Sequence, residues 1–265
     1  MSVLSYWKVQ NHIIVRLTQI WLLSNRLRLL LNQNKHKTKE KLDNLLQEDL
    51  LKETDLMKIA SEEGIRTTLD YQKLRSEDPQ RAERILKQSR LRSSQVLLES
   101  DVNLLEKIYP EIVWSSLSIM SLSVFESNMK IICYYLKVFL KIESDIDEMK
   151  GQSIVERSKN YIRQIPDLNY NFSTSKLWEK IRGHQTIRNL VVHNGSFLDS
   201  SKYSKAALHF IKNSDTNLKI DKESRLIIEK EYIDEIIDNL QDWLLDFFQV
   251  LKDTYPEIDE FEIRV

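Results

Sequence analysis

The chain of 265 residues has only 4 Gly and 4 Pro. Turn-rich architectures need more of both, because Gly supplies left-handed backbone and Pro presets bends. The scarcity excludes sandwiches, barrels and doubly wound sheets, and leaves long helices with few breaks. It also removes the glycine-rich phosphate loops, since neither G-x-x-x-x-G-K-[ST] nor G-x-G-x-x-G occurs. The single cysteine, Cys133, excludes an intramolecular disulfide and a Cys-based zinc site. Within IICYYLKVFL it reads as a small buried hydrophobe. Charge of one sign is lacking too: 39 Lys+Arg against 40 Asp+Glu leave a net charge of -1. Any polyanion must therefore be met by a local patch. The five His (12, 36, 184, 193, 209) form no H-E-x-x-H, so no metal or other cofactor is expected. The first 23 residues are interrupted by Lys8, His12 and Arg16. That pattern reads as neither a signal peptide nor a spanning helix, and predicts a cytoplasmic protein with no membrane contact. There is no fixed-period repeat and no low-complexity tract.

What is present is helical patterning. Residues 3 to 32 read as one amphipathic helix, with Trp7, Val9 or Gln10, Ile14, Leu17, Trp21 and Leu29 on its apolar side. Between Met1 and Lys41 stand eight Lys or Arg and one acid, Glu40. This basic stretch is either an RNA-binding or acidic-surface element, or a solvated face whose acids come from the next helix. A second helix is expected over 38 to 62, a polar turn or loose linker over Thr67 to Pro79, and a third helix from Gln80 to Ile108 that Pro110 ends or kinks. Arg81, Arg84, Lys87, Arg90 and Arg92 form a second basic cluster. Residues 1–100 are thus expected to form a helical hairpin or arm, and 101–265 a helical domain.

The strongest helix spans 111 to 141, with Trp114, Leu117, Met120, Val124, Ile131, Tyr135 and Leu136 spaced for burial. Past Glu111 at its start, Glu126 is the lone carboxylate within it. Buried, it would need a partner or a cleft; otherwise it lies on a polar stripe with Ser123, Asn128 and Lys130. A helix from about Ser153 to Gln164 follows. The loop DLNYNFSTS then offers Ser and Thr to cap the next helix. A short helix near Lys202, a hairpin near Leu218 to Ile228 and a last helix from Tyr232 to Leu251 complete the pattern.

The segment Leu177 to Gly195, LWEKIRGHQTIRNLVVHNG, carries the chemistry. Leu177, Ile181, His184, Arg188 and Val191 fall on one side, and Asn194-Gly195 supplies a helix stop. At about 100° per residue, Asn189 and His193 are i,i+4 neighbours, with Arg188 beside Asn189. Arg is almost never buried unpaired, so Arg188 emerges at a cleft or has a partner. One helix end thereby presents a permanent cation that forks onto phosphate, an amide, and an imidazole that gives or takes a proton near neutral pH. These groups suffice for metal-free phosphodiester cleavage: a base for the 2′-hydroxyl, an acid for the leaving 5′-oxygen and a cation for the phosphorane. The alternative is a chance pairing in a helical scaffold, with His193 serving the helix dipole.

Arg188-Asn189-x-x-x-His193 resembles the R-x(4–6)-H signature of the HEPN superfamily. The helix order from about Val102 to Leu251 resembles the HEPN bundle as well, which leaves residues 1 to about 100 without a counterpart. The fold expected is thus all-α, an HEPN-like helical bundle in the C-terminal part preceded by a long helical arm. The resemblance implies a homodimer in which Arg188, Asn189 and His193 of both protomers line one cleft. His193 would be the acid-base group, Arg188 the phosphate cation and Asn189 the residue orienting His193. Glu126 would orient Arg188 or His193. The implied reaction is metal-independent RNA cleavage leaving a 2′,3′-cyclic phosphate. The implied setting is a prokaryotic toxin or antiphage defence system, with an antitoxin or defence partner. The alternative within the family is a silent module that dimerises or binds RNA or a protein without cutting.

Overall fold

The structure, a computed structural model, describes residues 3–46 and 68–264. It is all-α, with two short antiparallel pairs of strands. The chain divides into two compact units, Leu29–Pro110 on the one hand and Met1–Arg28 with Glu111–Val265 on the other. This differs from the expected boundary at residue 100, because the first helix buries its leading turns in the core of the C-terminal unit.

That helix, α1, runs Tyr6–Leu46 without a break. A separate helix beginning at 38 is therefore not seen; residues 38–46 continue α1, and the rest of the expected second helix lies outside the described residues. The stretch from 33 to 46 has no Gly or Pro and holds four Lys and three Leu, which propagate helices. In the Leu29–Pro110 unit, Thr68–Glu77 forms α2 where a loose linker was expected. Leu74 is buried on it, and Gln72, Lys73 and Arg75 to Glu77 are exposed. Asp78 then caps α3, Pro79–Asn103, accepting from the Arg81 amide at 3.0 Å, with Pro79 at the first position where its missing N–H costs nothing. A π turn, Leu104–Ile108, follows α3. Lys39 and Lys35 hold Glu106 on that turn at 2.6 and 3.4 Å, and lower its pKa.

In the larger unit, α1 buries Tyr6, Val9, Ile13, Leu17, Ile20 and Ser24. Trp7 and Trp21, expected on the apolar side, are 67% and 41% exposed. The helix carries two apolar stripes, and the Tyr6 hydroxyl, donating to the Phe248 carbonyl at 2.6 Å, fixes which one faces inward. Helix α4 spans Tyr109–Phe139, with Pro110 tolerated in its first turn. Its Trp114, Leu117, Leu122, Phe125, Met129 and Leu136 are buried. Cys133 is buried as expected, and burial pushes its thiol up to about 12. Within the helical run Pro79–Phe139 one window is long and apolar enough to cross a membrane by length and composition, and 33% of it is buried.

Helix α5 is Ile154–Ile162, capped by Ser153, and α6 is Lys176–Asn194, capped by Ser175 from the predicted loop. Next come α7, Lys202–Asn213, and the pair β2, Lys219–Ile220, with β3, Leu226–Ile227. Helix α8, Lys230–Thr254, buries one whole side. The strands β1, Val3–Ser5, and β4, Glu262–Arg264, pair antiparallel and bring the two ends of the described chain together. Where α6 and α8 meet, Trp178 and Trp243 lie 5.2 Å apart, with Phe125, Phe172 and Phe247 around them. Such aromatic pairs anchor α6 against the core, each adding about 0.5–1.5 kcal/mol beyond area burial.

Candidate functional site at the end of helix α6

Helix α6 is held in the unit by two contacts on its inner side. Gly183 lets α7 approach: a Cβ built there would stand 2.0 Å from the Phe210 ring. His184, fully buried, is bound at both nitrogens, Nδ1 at 3.0 Å from the Tyr232 hydroxyl and Nε2 at 3.0 Å from the Asn239 amide. Lys180 donates to the Asn239 Oδ1 at 3.4 Å, which turns the Asn239 NH₂ toward Nε2. The neutral imidazole then carries its proton on Nδ1 and donates to Tyr232. Burial, and then the charge of Lys180, push the His184 pKa down to about 3. This histidine is a structural link between α6 and α8.

The C-terminal turn of α6 points the other way. Gly195 ends the helix in the left-handed region at φ 57°, its amide bonded to the Val191 carbonyl. Ser196 continues left-handed at φ 70°. The chain then reverses on Asp199, whose Oδ1 accepts from Asn194 Nδ2 at 2.9 Å, Ser201 N at 2.9 Å and the Ser204 hydroxyl at 2.7 Å. The Ser201 and Ser204 hydroxyls hold its carboxyl down at about 2. Asp199 thereby ties the end of α6 to the start of α7.

The tie sets the surroundings of His193. Its imidazole is exposed and lies nearly parallel on the half-buried Tyr203 ring of α7, centroids 4.9 Å apart and planes 18° apart. Lys202 Nζ stands 5.0 Å from the same ring centre. One turn back, Arg188 is half-buried and its Nη1 donates to Asn189 Oδ1 at 3.1 Å. The Arg188 Nε is buried with no hydrogen-bond partner among the described residues. Arg188, Asn189 and His193 thus share the last two turns of one helix, with the cation anchored and the imidazole open to solvent.

Two expected roles take a different form. Asn189 Oδ1 engages Arg188, and the ring that His193 rests on belongs to Tyr203. Glu126 is half-buried on α4 and makes no hydrogen bond or ion pair among the described residues, so no direct contact orients Arg188 or His193 through it. Tyr203 was missed by sequence reasoning because it contacts His193 across a reversing loop. The signal for that reversal was Asn194-Gly195 followed by the Asp199-x-Ser201-x-x-Ser204 pattern. Two surface hollows, one lined by Val9, His12, Lys130, Ile131 and Tyr134 and the other by Thr216 to Lys219, Glu229 and Glu231, contain none of these residues. Among the described residues no group of three or more His, Cys, Asp or Glu stands together in a way that would hold a metal ion.

Compared with family models, curated proteins and solved structures, the chain matches none of them.

Proposed function

We propose that this chain is a cytoplasmic, metal-independent endoribonuclease of HEPN type, working as a homodimer in toxin or antiphage defence. The observation that carries the reading is the solvent-open His193 one helical turn beyond an Arg188 whose guanidinium is braced by Asn189. His193 exchanges the proton and Arg188 steadies the charge building on the phosphate, while Asn189 holds the guanidinium in place. One chain supplies a single imidazole, whereas cleavage needs both a base and an acid. A second copy meeting the first at this helix end supplies the other. The family's R-N-x-x-x-H signature supports the same assignment by resemblance.

A second reading is a silent module that dimerises or binds RNA or protein without cutting. One observation favours it: His193 rests flat on Tyr203 instead of facing Asn189. The two are separated by incubating wild type, His193→Ala and Arg188→Ala with single-stranded RNA in EDTA over a range of protein concentrations. The ribonuclease reading expects cleavage by wild type alone, with activity per chain rising as dimers form. A well-folded wild-type dimer that binds RNA and never cuts it would leave the silent module standing.

A further inference from the structure

Helix α7 has the sequence KYSKAALHFIKN, with three lysines and no acid, in a chain that carries 40 acids against 39 bases. Its apolar side is committed: Ala207 and Phe210 are buried, and Phe210 fills the notch at Gly183. At about 100° per residue, Lys202, Lys205, His209 and Lys212 fall within an arc of about 80° on the opposite side. All four are exposed. Lys202, Lys205 and Lys212 make no ion pair among the described residues. Other lysines of the same unit, such as Lys137, Lys219 and Lys252, are paired to carboxylates. The arc begins beside the catalytic candidate, because Lys202 lies over the ring on which His193 is stacked.

We propose that this stripe is a rail for the phosphate backbone of single-stranded RNA, leading to or from the Arg188–His193 site. The proposal rests on the ribonuclease reading for the identity of the strand. At 1.5 Å per residue the rail from Lys202 to Lys212 is about 15 Å long. A stacked strand advances about 3.4 Å per phosphate, so about four phosphates pass along it. Exposed lysines on flexible stems suit such a strand, since they follow charge without reading bases. An acidic protein surface is the competing occupant; Val192 and Phe197, both 48% exposed, lie near the start of the stripe, but Lys202, Lys205, His209 and Lys212 include no apolar residue, and protein interfaces centre on an apolar core. Electrostatic contact of this kind steers a polyanion to the site and weakens steeply with salt.

The test is made in full-length His193→Ala protein, so that binding is read without cleavage. Fluorescence anisotropy with a labelled 12-nucleotide single-stranded RNA is measured at several salt concentrations, with and without Lys202→Gln, Lys205→Gln and Lys212→Gln combined. The lysines are exposed, and unchanged circular dichroism checks that the combined variant folds. The rail predicts at least a tenfold loss of affinity at low salt. It also predicts a salt slope shallower by about 2, because each single-strand phosphate contact contributes about 0.7. Equal affinity and equal slope in the two proteins would overturn it, as would the absence of RNA binding by His193→Ala itself. Displacement of the RNA by polyglutamate of equal charge, as readily as by unlabelled RNA, would assign the stripe to an acidic protein instead. Failure of the ribonuclease reading appears separately, as a wild-type protein that binds RNA without cutting it.

Discussion

His184 and His193 stand nine residues apart on the same helix, and their surroundings give them opposite trades. The first is sealed between Tyr232 and Asn239, with both ring nitrogens used and its pKa pushed to about 3. Burial favours its neutral form, so it serves as a polar bolt between α6 and α8. The second lies past the last packed turn, exposed, with only one ring face covered by Tyr203. Its nitrogens make no hydrogen bond among the described residues. Nine residues is two and a half turns, which places the two on opposite sides of the helix. Burial of one side and exposure of the other then give one residue type two different settings on one helix.

The sharpest way to break this comparison is to exchange the consequences of losing each ring. His193→Ala is expected to lower RNA cleavage by about 10²–10⁴-fold, the value of a positioned acid-base group. Its melting temperature should stay close to that of wild type, because an exposed side chain contributes little. His184→Ala is expected to do the reverse. It leaves the Tyr232 hydroxyl and the Asn239 amide short of a partner beside a void, costing about 2–4 kcal/mol in chemical denaturation. Gly183→Ala tests whether α7 must approach α6 this closely. With a Cβ only 2.0 Å from the Phe210 ring, overpacking should cost about 1–3 kcal/mol. The same substitution should also disturb the Tyr203–His193 stack, visible as a changed ring-current shift of the His193 protons.

The smallest effect is read by titration. In the unfolded chain His184 binds a proton at its ordinary value of 6.5, whereas in the folded chain it does so only at about 3. Between these values the unfolded state holds the extra proton, so stability falls as pH is lowered. The expected slope is about 0.7 kcal/mol per pH unit at pH 6.5 and approaches about 1.4 a unit lower. Replacing the ring by a neutral amide in His184→Gln should remove that component and flatten the curve between pH 6.5 and 5.5.

Much of α6 was legible because its punctuation is local. Ser175 caps the start, Gly195 turns left-handed at the end, and the periodicity between them grouped Ile181 and His184, which are buried, with Leu177, Arg188 and Val191, which are half-buried. Glu179 and Arg182 lie exposed on the same helix. The all-α class followed equally from the lack of Gly and Pro. The unit boundary was not legible, because α1 has apolar residues on two stripes and only the tertiary contact of Tyr6 with the Phe248 carbonyl selects between them. The unbroken α1 was missed for a related reason: polar helix formers carry no mark of where one packed face ends and another begins. Helix α2 was read as a linker because polar residues flank Leu74, whose burial depends on tertiary packing. Tyr203 was out of reach of any motif, since a pairing across a seven-residue reversal depends on how Asp199 gathers Asn194, Ser201 and Ser204.

The division of labour between the two histidines is tested most directly by end-group analysis of RNA incubated in EDTA with wild type, His184→Gln and His193→Ala. The incubation is held well below the melting temperature of each protein. The account predicts 2′,3′-cyclic phosphate ends from wild type and from His184→Gln, and none above background from His193→Ala. Cleavage by His193→Ala at the wild-type rate would contradict it.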